Sequence, residues 1–121
     1  MPRSGEAGAA LSDSSATALA TASGIDGGDV DEVFMGCVLP AGLKQCPARQ
    51  SAIGAGIPKS TGAVTLNKAC GSGMQATIYG YDSIVAGTNT VVVSGGMESM
   101  TNAPHLLPSA RGGVRSGHAT L

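Results

Sequence analysis

The stretch from Ala63 to Ala86, AVTLNKACGSGMQATIYGYDSIVA, constrains the fold more than any other part of the chain. Ala63-Val64-Thr65-Leu66 has strand character, with Val64 and Leu66 on one face and Thr65 on the other. The small residues Gly71-Ser72-Gly73 end the extended run. Met74, Ile78, Tyr81 and Val85 then recur at i, i+4, i+7 and i+11, one stripe of a helix, and Gly87 is a natural stop behind it. Cys70 therefore falls where a strand gives way to a helix. Free N–H groups and the helix dipole at such a place favour a thiolate over a thiol.

The flanking segments repeat the alternation. Val30 to Leu39 contains a strand from about Glu32 to Cys37, ended by Pro40-Ala41-Gly42. Pro47 suits a first helical position, so Ala48 to Ala55 reads as a short helix stopped by Gly56. Thr90 to Ser94 is a near-continuous apolar strand of the kind buried on both faces, and Gly95-Gly96 follows it. Strand, helix, strand, helix, strand predicts an α/β fold with parallel strands, right-handed crossovers and helices covering the sheet. Chemistry in such sheets sits at the carboxyl ends of the strands, which puts Cys70 and Gly95-Gly96 in one expected crevice.

The ends are less patterned. Met1 to Ser12 has no periodicity and is expected to form a disordered or poorly docked leader. Ser15 to Ala22 is expected to make two helical turns, stopped by Gly24. Asp26-Gly27-Gly28-Asp29 is turn material. Beyond Asn102 the chain becomes loop-like, punctuated by Pro104, Pro108, Gly112, Gly113 and Gly117. The expected division is 1–23 as leader and shortened first helix, 24–101 as the folded unit, and 102–121 as the start of a loop region.

The composition narrows the function classes. A length of 121 residues suits one domain, and 42% hydrophobic with 12% charged residues fits a folded chain. Phe34, Tyr79 and Tyr81 are the only aromatics, so the core falls to aliphatic side chains and helices can approach strands closely. A net charge of −1 gives no electrostatic case for nucleic acid or an anionic membrane surface. No apolar run nears the roughly 18 residues of a membrane span. Three cysteines without metal-type spacing point to free thiols, no metal site and a reducing compartment, by default the cytoplasm, with an organelle also open.

Among the candidate reactive groups, Cys37 lies inside a strand and reads as a buried small hydrophobe. Cys46 precedes Pro47 in a polar loop and carries no role. Cys70 reads from position alone either as a packing cysteine or as an activated nucleophile. Gly71-Ser72-Gly73 is no phosphate loop, since no Gly-Lys-Ser/Thr and no third glycine at dinucleotide spacing follows. His105 and His118 read as exposed loop histidines. Arg111 and Arg115 are weak candidates for meeting phosphates.

The motifs also carry a resemblance. NKACGSGMQA (Asn67 to Ala76) followed by SGGMESMTNAPHLLP (Ser94 to Pro108) resembles the N-terminal half of a thiolase of the acetyl-CoA acetyltransferase type. VDEVFMGCVLPAG and the PARQSA helix fit the same family run, and the likeness covers roughly Gly24 to Leu121. Related ketosynthases share the fold and the nucleophilic cysteine but lack the GGMESM stretch. The resemblance implies a layered α/β/α arrangement, duplicated in two facing halves. It implies that Cys70 takes an acyl group from acyl-CoA as a thioester, with its own N–H as one oxyanion-hole donor. Coenzyme A thioesters would be substrates rather than a bound cofactor, and the family is dimeric or tetrameric.

The same resemblance marks departures. The family's activating histidine, in a Gly-His-Pro motif, and its second cysteine, in Cys-x-Gly-Gly-Gly, lie in a C-terminal half and do not occur in these 121 residues. His105 stands where the family more often has an aromatic residue. MPRSGEAGAA replaces the family's first strand, so three contiguous strands in family order 3-2-4 are expected, without the first and fifth. Thr90–Ser94 would then be an edge, a pairing hazard that predicts a marginal or self-associating chain. Two readings follow: part of an acyltransferase completed from elsewhere, or a non-catalytic truncated product acting at most as an assembly surface.

Overall fold

The computed structural model describes residues 23–113. Its elements in chain order are β1 (Glu32–Gly36), α1 (Pro47–Gly54), β2 (Gly62–Leu66), α2 (Ser72–Val85) and β3 (Val92–Gly96). Single 3-10 turns at Gly27–Asp29 and Pro108–Gly112 flank them. Among the described residues the sheet has three parallel strands in the order β2-β1-β3, with Phe34 opposite both Val64 and Ser94. This is the expected α/β order, with β1 in the middle. The expectations for Met1–Ser12, Ser15–Ala22, Arg115 and His118 lie outside the described residues.

The two helices cover opposite faces. Odd-numbered β1 residues Val33 and Met35 point toward α1 and form the core with Val30, Ala48, Ala52 and Ile57. Ala63 of β2 and Val93 of β3 pack against that cluster from the same face. Pro47 opens α1 as expected, and the Ala48 N–H reaches the Thr65 hydroxyl of β2 (3.0 Å), fixing the helix start to the sheet. The polar side chains of the PARQ segment secure the neighbouring loops. Gln50 Nε2 donates to the Leu43 and Gln45 carbonyls, and the Arg49 guanidinium donates to those of Lys59 and Thr61. Gly56 (φ +80°) ends α1 and Gly87 (φ +72°) ends α2, both as left-handed stops.

On the other face α2 lies across β1 and β3 through its smallest residues. Ser72, Ala76 and Gly80 are buried. A Cβ on Gly36 would overlap the Ser72 carbonyl carbon and lie 2.5 Å from the Gly73 nitrogen. One on Gly80 would lie 3.1 Å from Val92 Cγ2. This close approach decides which stripe of α2 meets the sheet. Met74, Ile78, Tyr81 and Val85 do share one helical face, but that face is exposed (Met74 by 74%, Tyr81 and Val85 by 68%). Two stripes run along α2, one small and one large, and the sheet takes the small one.

The β3 expectation also changes. The strand begins at Val92 and includes Gly95 and Gly96, and its residues from Val92 to Gly95 are half-buried rather than buried on both faces. Its start is set by Asp31, whose carboxylate accepts the N–H groups of Thr90 (2.7 Å) and Val91 (3.0 Å). Those two residues are thereby held in a bend ahead of β3, with the Asp31 N–H donating in turn to the Val91 carbonyl (2.9 Å). β3 has β1 as its one partner among the described residues, so half of its backbone edge is uncovered.

Candidate active site

The carboxyl ends of all three strands open into one crevice of about 400 Å³. Gly36, Val38 and Leu39 come from the end of β1, Ala69 and Cys70 from the end of β2, and Gly96, Met97 and Glu98 from the end of β3. Ser72 and Gly73 at the start of α2 and Met100 complete it. Cys70 and Gly96 thus meet as the topology predicts. Gly95 does not line the crevice; it faces the other side of the sheet, where a Cβ would lie 3.5 Å from Met35 Sδ.

Cys70 is exposed and sits just ahead of Gly71, the cap residue of α2. The turn that delivers it is strongly constrained. Ala69 adopts φ +45°, a left-handed conformation that costs a non-glycine residue on the order of 1–3 kcal/mol. Its N–H donates to Asn67 Oδ1 (2.9 Å). Its carbonyl accepts from both the Ser72 hydroxyl (2.6 Å) and the Ser72 N–H (3.0 Å). The same hydroxyl accepts the Lys68 N–H (2.8 Å), and Lys68 Nζ reaches Gln75 Oε1 (2.6 Å). Ser72 is buried, so its hydroxyl is a clamp within the turn rather than a group facing a ligand.

The opposite wall is held by Glu98. Its carboxylate accepts the N–H groups of Val38 (2.7 Å) and Leu39 (3.1 Å), where β1 has ended and these groups have no ladder partner. Sequence reasoning passed over Asn67, Ser72 and Glu98 as individual residues. Asn67 carried a signal, because Asn favours local side-chain–backbone turns. Glu98 carried none, since its partners lie on a loop far away in sequence.

The remaining candidates separate from the crevice. Cys37 is 2% exposed and follows β1 directly, its N–H still bonded to the Leu66 carbonyl (2.9 Å). Burial pushes its thiol up, the nearby Glu98 charge adds to that, and the Leu39 N–H opposes it. Cys37 is therefore the buried small side chain expected, one residue past the strand rather than inside it. Cys46 is exposed in a left-handed conformation ahead of α1 and does not line the crevice. His105 is exposed and does not line the crevice, and neither does the exposed Arg111.

Comparison with known proteins decides the family. Residues 5–121 match the thiolase N-terminal domain. The chain belongs to the thiolase family. It is similar to the cytosolic acetyl-CoA acetyltransferase of Gibberella zeae, with 53% identity over 98 residues, 81% of this chain and 25% of that one. The acetyl-CoA acetyltransferase of Pseudomonas aeruginosa gives the same identity and coverage. The fold is similar to the crystal structure of Acat5 thiolase from Ascaris suum in complex with coenzyme A, with a TM-score of 0.79 and 40% identity. That match covers 86% of this chain and 27% of the other. This thiolase chain thus spans about a quarter of the length of the relatives it matches.

Proposed function

We propose that this chain is the acyl-accepting part of a thiolase of the acetyl-CoA acetyltransferase type, with Cys70 as the nucleophile. One observation carries the reading: Cys70 is the exposed thiol in an apolar crevice at the strand ends, within a chain 53% identical to acetyl-CoA acetyltransferases. The Cys70 thiolate would attack the acetyl-CoA carbonyl carbon, the bond from that carbon to the coenzyme A sulfur would break, and coenzyme A would leave as a thiol after taking a proton. The Cys70 N–H would be one donor to the oxyanion. A second acetyl-CoA, having lost an α-proton, would then attack the Cys70 thioester, giving acetoacetyl-CoA and the free thiol. In reverse, coenzyme A would cleave acetoacetyl-CoA by thiolysis.

The proton transfers need groups that the family places in Gly-His-Pro and Cys-x-Gly-Gly-Gly motifs, absent from this sequence. Turnover is accordingly not expected of these 121 residues alone, and a slow acylation by the fraction of Cys70 present as thiolate is the furthest step open to them. Coenzyme A thioesters are its proposed substrates, the cytoplasm its proposed compartment, and a homo-oligomer its proposed assembly. Incubation with acetyl-CoA followed by intact-mass measurement tests the first step: an acetyl adduct on Cys70, absent in Cys70→Ser, is expected. An unmodified wild-type chain would remove the acyl-acceptor role. The exposed large face of α2 favours a second reading, a non-catalytic piece that acts only as an assembly surface. Under that reading no adduct forms although the fold is intact.

A further inference from the structure

Val38 is gripped from two sides. Its N–H donates to Glu98 Oε2 (2.7 Å), and its carbonyl accepts from Asn67 Nδ2 (3.2 Å). The other end of the same Asn67 amide accepts the Ala69 N–H (2.9 Å). Ala69, in its left-handed conformation, sets the direction in which the backbone enters Cys70. The bonds run without a break from the loop after β3, through the loop after β1, to the residue before the nucleophile after β2.

We propose that Glu98 and Asn67 are positioning residues for Cys70, coupled to each other through Val38. What Cys70 does rests on the function proposed above; the coupling itself rests on these hydrogen bonds. The residue types match the task. An amide is the side chain that donates and accepts from one planar group, so Asn at position 67 holds Val38 and Ala69 together, whereas Asp offers acceptors only. An ionised carboxylate takes two successive N–H groups in stronger, charge-assisted bonds, which suits Glu98. The two motifs of the sequence, NKACGSG and GGMESM, meet directly where the Gly73 backbone lies against Gly96, and the side chains of Asn67 and Glu98 give them a second link, through Val38, that acts on the cysteine. The rival view is that Ser72 alone fixes Ala69 and that Glu98 is a local clamp on Val38 and Leu39.

Amide hydrogen exchange and thiol alkylation on the full chain separate the two views. Glu98→Ala is expected to speed exchange by about tenfold or more at Val38 and Leu39 and also at Ala69, whose own acceptor is untouched. The strand amides of Val33 and Met35 should be unchanged. With iodoacetamide, Cys46 serves as an internal reference and Cys37 as a reporter of unfolding. The Cys70-to-Cys46 rate ratio is expected to move by about threefold or more toward its value in urea, in Glu98→Ala and in Asn67→Ala alike. The double variant should match Asn67→Ala within about twofold, because one chain of contacts is cut twice. Glu98→Gln keeps one acceptor and should fall between. If Glu98→Ala exposes Cys37, Glu98→Gln carries the comparison. Opened Val38 and Leu39 amides with Ala69 and the ratio unchanged, or effects that multiply in the double variant, would overturn the coupling. Neither readout uses acetyl-CoA, so a chain that fails to acylate sinks the acyl-acceptor reading and leaves this result standing.

Discussion

Two glycines on the α2 side of the sheet make the same contribution at different tolerances. At Gly36 an added Cβ meets backbone atoms of Ser72 and Gly73, which cannot turn aside. Gly36→Ala must push the start of α2, and Cys70 with it, away from β1. A loss of about 1–3 kcal/mol is expected in urea denaturation, typical of overpacking. At Gly80 the contact is the end of the Val92 side chain, 3.1 Å away, which can shift. Alanine also gains about 1 kcal/mol over glycine inside a helix. Gly80→Ala is therefore expected to lie near neutral. Equal losses at both positions would show that helix–sheet spacing is not what Gly36 protects.

Asp31 acts at the same scale but through charge. The Val91 N–H, and then the Thr90 N–H, hold its carboxyl below its ordinary value of 3.8, with a small opposing effect of desolvation. A carboxyl lowered in the folded state contributes stability that is fully present above the unfolded value. It is lost as pH falls below 3.8 through the folded value. The stability difference between the wild type and Asp31→Asn is expected to shrink across that window and stay constant above it. Parallel curves through the acid range would show that the carboxylate does not fasten the start of β3.

Among the elements, α2 shows best how far a sequence pattern reaches. Its existence, extent and stop were legible from the recurrence of Met74, Ile78, Tyr81 and Val85 and from Gly87. Its orientation was not. Gly73, Ala76 and Gly80 recur at helical spacing just as the large residues do, and periodicity alone does not say which stripe meets the sheet. The answer comes from β1 and β3, where Gly36 and Gly96 leave room for a backbone but not for a bulky side chain. The crevice was half legible for a similar reason. Parallel topology places Cys70 beside Gly96, while Glu98 and Asn67 act through Val38, in the loop after β1 and distant from both in sequence.

At the scale of the whole molecule, the exposed face of α2 and the open edge of β3 both invite association. Contiguous apolar surface of this kind favours contact between chains. The isolated chain is expected to self-associate in sedimentation velocity. Replacing Met74, Tyr81 and Val85 together by Gln should lower the weight-average mass while leaving Cys37 protected from alkylation. A mass unchanged by that triple substitution would put the contact at the β3 edge instead. None of the described helices is long and apolar enough to cross a membrane.

The sequence by itself determined the order of strands and helices, their parallel sense, the helix stops and the place of Cys70 at a strand end. These follow from local periodicity, turn chemistry and the handedness of crossovers, all carried by neighbouring residues. Only the tertiary structure decided which face of α2 is buried and that Thr90 and Val91 stand outside β3. It alone decided that Glu98 reaches the Cys70 turn through Val38 and Asn67. Each depends on how closely separate strands approach and on which backbone groups the sheet leaves unpaired, distances that the one-dimensional pattern does not contain.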